Sequence, residues 1–214
     1  MRAFATFAVM AVLMALTLSV GVRAESSSPA LTVRLYNTSG IPALELVAAR
    51  RAAESILRDT GLDVVFRYCG RRVSPEAAVD TCDDRLKPSE VVVRVINAPS
   101  FSTNLHPEAY GVAYVVHETS RGWLATVFSD RIDQAATRVG VEPGVLLGRV
   151  MAHEIGHLLL GPGYHGDAGV MRAEWPDALL THAGEEWRFS TREAGRMQHL
   201  VAPSDKFAPS SSAF

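Results

Sequence analysis

The chain has 214 residues, 48% of them hydrophobic and 21% charged, which is material for one full core and little for a second. Its formal net charge of -2 supplies no electrostatic footprint for nucleic acid or an anionic membrane surface. Function therefore has to come from a local site.

Arg2 precedes a nearly unbroken apolar run from Ala3 to Val22, ending in Val22-Arg23-Ala24. This is the pattern of a secretory signal peptide, so residues 1–24 are expected to be cleaved off after Ala24. The run is close to spanning length, and an uncleaved N-terminal membrane anchor is the alternative. No later segment is apolar enough to span a bilayer, so the expectation is a secreted or periplasmic protein with no membrane span after cleavage. One domain is expected at 25–203 and a disordered tail at 204–214. The only two cysteines, Cys69 and Cys82, in an exported chain, suggest a disulfide closing a short loop.

After a Ser/Pro leader, Leu31 to Tyr36 alternates and is rich in strand formers, which predicts a first strand. Pro42 to Thr60 reads as a helix, with proline in its first turn, apolar residues at helical spacing and Gly61 as terminator. Leu62 to Tyr68 is a second strand, and Cys69 to Pro88 a loop that the disulfide pins. Val91 to Ile96 has the β-branched bias of a buried third strand. Tyr110 to His117 and Trp123 to Ser129 form a hairpin around Glu118-Thr119-Ser120-Arg121-Gly122. Pro143 to Leu160 is a helix opened by Glu142-Pro143 and closed by Gly161-Pro162-Gly163. A last helix runs from Ser190 or Thr191 to about Val201, with Glu193 in its first turn. This order describes an α/β or α+β layer protein.

The helix at 143–160 carries His153-Glu154-Ile155-Gly156-His157 on its second half. Residues four apart stack on one helix face, so His153 and His157 can direct imidazoles at one zinc ion. Glu154 lies beside them, where a carboxylate can take a proton from a water attacking a polarised carbonyl and pass it to the leaving amine. A third histidine, His165, follows the glycine break.

The segment 153–171 resembles the metzincin clan of zinc peptidases, whose signature is His-Glu-x-x-His-x-x-Gly-x-x-His followed by a methionine turn. Here Gly161 comes one residue late and His165 two, and Gly169-Val170-Met171-Arg172 looks like the methionine turn. The resemblance implies a metzincin-like, or zincin, catalytic domain: a twisted, mostly parallel sheet of about five strands with an antiparallel edge hairpin, an active-site helix and a C-terminal helix. It also implies one catalytic Zn2+ on His153, His157 and His165, with Glu154 as general base and acid. Asp167, or a downstream carboxylate from Glu174, Glu185 or Glu186, is the alternative third ligand. Tyr164 stands either as an oxyanion donor or as packing, and no tyrosine follows Met171 closely.

His106, His117, His182 and His199 fall outside any ligand spacing and read as structural or solvated. Arg71-Arg72 reads as a solvated pair or a processing site. Trp123, Trp175 and Trp187 read as core or wall residues. The expected function is a secreted zinc endopeptidase, monomeric by default, acting on polypeptide. A catalytically silent exported binding protein and a zinc amidohydrolase for a non-peptide amide are the competing readings.

Overall fold

Residues 28–70, 82–99 and 108–202 are described by a computed structural model of the chain. The expected signal peptide, Arg71-Arg72, His106 and the tail from Pro203 lie outside these residues. Five strands form one sheet: β1 Ala30–Asn37, β2 Asp63–Cys69, β3 Glu90–Ile96, β4 Gly111–Val116 and β5 Arg121–Phe128. Their order is β2-β1-β3-β5-β4, parallel throughout except for β4, which pairs antiparallel with β5 at the edge. The fold is thus the mixed α/β arrangement with an antiparallel edge hairpin that the sequence led us to expect.

Alternation decides which face of the sheet is buried. Leu31, Val33 and Leu35 of β1 and Val91, Val93 and Val95 of β3 are almost completely buried, as are Ala125 and Val127 of β5. Against them pack helix α1, Ala43–Arg58, and helix α3, Pro143–Leu160. Helix α3 is buried nearly all round, which suits a central helix with neighbours on every side. Gly144 and Gly148 let it approach α1 closely: a Cβ on Gly144 would sit 2.7 Å from the Glu45 carbonyl oxygen, and one on Gly148 2.6 Å from Ala52 Cβ. This contact fixes the height of the histidine-bearing helix against the sheet.

On the opposite face Arg34 and Glu90 form a buried ion pair under the loop that leads into β3. Arg34 also donates to the carbonyls of Cys82 at 3.1 Å and Asp84 at 2.8 Å. Cys69 and Cys82 are joined in a disulfide, with their Cα atoms 5.6 Å apart, which ties Cys82, within the loop, to the end of β2 as expected. Helix α5, Thr191–Val201, opens on a capping box in which Ser190 and Glu193 exchange side-chain to backbone bonds.

The structure departs from expectation in three places. Residues Ser129–Val139 form a helix, α2, where only a strand end and a connection were foreseen. Its buried residues are Ser129, Ile132, Ala135 and Ala136, a stripe made mostly of small side chains, and it starts directly from β5 with no turn residue to mark it. The β4–β5 turn is shorter than expected because Ser120, not Gly122, takes the left-handed conformation (φ 52°). Gly122 lies inside β5, where a Cβ would meet the Tyr114 carbonyl oxygen at 2.6 Å and the Leu158 side chain. Trp123 is half-exposed on the hairpin, so it is no core residue. Between α3 and α5 the chain makes a short helix α4, Asp177–Leu180, and a 3-10 turn, Gly184–Trp187.

Candidate metal centre

His153 and His157 project from the last turns of α3. The Nδ1 of His153 lies 2.7 Å from the Val170 carbonyl oxygen. A carbonyl only accepts, so Nδ1 carries the proton and Nε2 keeps its lone pair free. That Nε2 faces the Nε2 of His157 at 3.0 Å. His165 completes the group, its ring 5.7 Å from that of His153 and 4.9 Å from that of His157. One ligand nitrogen from each of the three lies within 4.8 Å of the others. Among the described residues this is the only such group, and Asp167, Glu174, Glu185 and Glu186 do not join it.

The longer spacing before His165 is absorbed by backbone that glycine permits. Gly161 ends α3 with φ 112° and Gly163 follows with φ 64°, a sharp reversal that side chains with a Cβ resist. Gly161 N–H donates to the His157 carbonyl at 3.0 Å, and Gly166 N–H to the Met171 carbonyl at 2.8 Å. His165 is held between these two anchors.

Burial lowers the pKa of His153 to about 4 and that of His157 to about 3; at His157 the neighbouring imidazoles add to the effect. Both rings are therefore neutral at neutral pH, the state a metal requires of them. The two Nε2 atoms are 3.0 Å apart, so they either share one proton or flank a cation. Tetrahedral zinc with bonds of about 2.0–2.1 Å places its ligand nitrogens about 3.4 Å apart, close to this spacing. Three imidazoles, with His165 exposed, suit zinc's preference for nitrogen donors.

Glu154 is almost fully buried, and desolvation raises its carboxyl pKa to about 8. A pKa in that range suits a group that accepts and returns a proton near neutrality. Gly111, the first residue of β4, backs this carboxyl so closely that a Cβ there would lie 2.8 Å from Glu154 Cγ and Oε1. Gly111 is a site residue that sequence reading missed. Its only signal was a glycine at the mouth of a strand.

Met171 is completely buried beneath α3. A Cβ on Gly156 would strike the Met171 sulfur and come within 2.9 Å of the Phe189 ring, so the glycine inside the histidine motif makes room for Met171. The carbonyl that orients His153 belongs to Val170, the residue before Met171. Trp175 stands edge-on to His153 with ring centres 5.2 Å apart, and Trp187 stands edge-on to Trp175 at 4.8 Å. Behind them, the Arg149 guanidinium lies 4.1 Å from the centre of the Trp187 ring. Arg149 also donates to the carbonyls of Leu180 at 2.8 Å and His182 at 2.7 Å. Arg149 precedes His153 by one helical turn, so this chain of contacts clamps the segment after Met171 onto the histidine helix.

Tyr164 turns toward α5. Its hydroxyl interacts with Glu193, and the Arg196 guanidinium lies 4.9 Å from its ring centre. The other histidines stand apart from the centre: His117 and His199 are exposed, and His182 serves through its carbonyl.

No family model matches the sequence, and no curated protein does. Solved structures do. An archaemetzincin from Methanopyrus kandleri superposes with a TM-score of 0.50 at 18% identity, over 82% of this chain and 97% of that one. Metalloproteinase-II from Bacteroides fragilis gives a TM-score of 0.49 at 14% identity, over 81% of this chain and 54% of that one. The chain has a metzincin-like metallopeptidase fold, and a three-histidine cluster lies in it.

Proposed function

We propose that the protein is a zinc-dependent endopeptidase, exported from the cell that makes it. The observation that carries this reading is the convergence of His153, His157 and His165, with the buried Glu154 adjacent to His153 on the same helix. In this reading the three histidines hold one Zn2+ and Met171 occupies the methionine turn beneath it. When bound, the zinc supplies a Lewis acid for a peptide carbonyl and makes water a stronger nucleophile near neutral pH.

Glu154 accepts a proton from the attacking water, and its raised pKa lets it return that proton to the departing amine. Gly111 and β4 hold the carboxyl at its post. The Val170 carbonyl fixes the tautomer of His153, and Trp175 limits the rotation of its ring. Among the described residues the edge strand β4 has one side without a paired strand, on which an extended polypeptide can align by backbone hydrogen bonds. Export is supported by the disulfide between Cys69 and Cys82 and by the signal-like sequence of residues 1–24.

The test pairs metal content with hydrolysis of unfolded casein. Protein purified without added metal should carry one zinc per chain and cleave casein. Glu154→Ala should keep the zinc and lose the cleavage, and His165→Ala should lose both. A wild-type protein that holds no zinc and cleaves nothing defeats this reading and favours a silent binding protein.

A further inference from the structure

The end of α3 borders a second open feature. A groove of about 570 Å³ lies between the β4–β5 turn, the last residues of α3 and one face of α5. Leucines of α3 and α5 give it an apolar floor, and Arg192, Arg196 and His199 line it from one face of α5, with the hydroxyls of Thr119 and Ser120 opposite. Among the described residues no carboxylate lines it. Arg196 is already oriented, since it donates to the Leu160 carbonyl at 2.7 Å and stacks on Tyr164, the residue before His165.

An independent feature points to the same place. Gly195 lies in the middle of α5, where glycine is unfavourable relative to alanine. The helical glycines Gly144, Gly148 and Gly156 each have a steric reason, because a Cβ would strike a neighbouring helix or Met171. At Gly195 a Cβ would meet nothing within 4 Å, and the residue lines the groove. Among the described residues nothing packs against Gly195, so its bare backbone leaves room for a ligand to lie close to α5.

We propose that this groove binds an acidic polypeptide segment and serves as an accessory subsite of the metal centre. A cationic rim over an apolar floor fits carboxylates carried on aliphatic stems better than it fits a free inorganic anion. Leu160 follows His157 by three residues, about 4.5 Å along the helix axis, so the groove begins within one helical turn of the second histidine. The binding claim stands on the groove alone. The subsite role rests on the peptidase reading.

The test is fluorescence anisotropy with two labelled peptides that differ only in carrying glutamate or glutamine, run beside a casein assay. The glutamate peptide should bind about tenfold more tightly, and the difference should shrink at high salt. Gly195→Leu fills the groove with a better helix former, so it should keep or raise Tm while abolishing the preference. Arg192→Gln should weaken it severalfold. Equal binding of the two peptides to wild type, or an unchanged preference in Gly195→Leu, overturns the proposal. So does equally effective competition by inorganic phosphate, which would make the groove a general anion site. If the preference is present but casein is not cut, the peptidase reading and the subsite role fall and the binding site stands.

Discussion

Replacing Gly111 with alanine tests the geometry around Glu154 without touching a metal ligand. The added Cβ would sit 2.8 Å from Glu154 Cγ and Oε1 and 2.9 Å from Cδ. Ordinary carbon contacts are about 3.5–4.0 Å, so the carboxyl has to move by roughly 0.7 Å or more. A displacement near 1 Å at a reacting group costs on the order of 100-fold in rate, or about 2.7 kcal/mol of transition-state stabilisation. The atoms that must shift are the end of a side chain, so Tm should change little. The assay is kcat/KM on a fluorogenic peptide, with zinc content and Tm measured on the same preparation. A fall of roughly two orders of magnitude at full zinc loading is the expected result. Full activity in Gly111→Ala would refute the idea that Glu154 acts from the position described.

Two further substitutions probe what supports the centre. Arg149→Met removes two bonds to the carbonyls of Leu180 and His182 and the guanidinium behind Trp187, and should weaken zinc binding about 10-fold, as loss of outer-shell support does. Competition with a chromophoric chelator measures this, and unchanged affinity would deny the clamp. Glu90→Gln breaks the buried pair with Arg34. The pair is out of reach of water and, among the described residues, lies under the loop before β3, so we expect a cost of about 1–3 kcal/mol, below that of a deeply buried pair. Burial alone would raise the Glu90 pKa, yet the Lys87 N–H and Arg34 outweigh it and hold it below the ordinary 4.5. A depressed folded-state pKa stabilises above the unfolded value, and that contribution is lost as pH falls through the folded one. Denaturant unfolding across that acid range should show a slope in wild type that Glu90→Gln flattens.

Much of this architecture was legible because the sequence states it locally. The boundaries of α3 coincide with expectation because Glu142-Pro143 and Gly161 mark its ends independently of the interior. The same holds for α5, where Ser190 and Glu193 form a capping box. Helix α2 was hidden because it follows β5 without punctuation and buries mainly alanines, so its apolar period is faint. The histidines were legible at i and i+4, and His165 by the glycines around its turn. Gly111 and Arg149 were not, since each acts across the fold on a partner more than twenty residues away. Trp123 was misjudged for the converse reason: its residue type suggests burial, but the edge hairpin leaves it half-exposed.

The central claim is that His153, His157 and His165 hold one catalytic zinc. Diffraction from crystals of protein purified without added metal, collected on both sides of the zinc absorption edge, tests it most directly. A single anomalous peak about 2.1 Å from the Nε2 atoms of His153 and His157 and from one ring nitrogen of His165 is the predicted result. A peak bound by a carboxylate in place of His165, or no zinc peak at the three histidines, would contradict it.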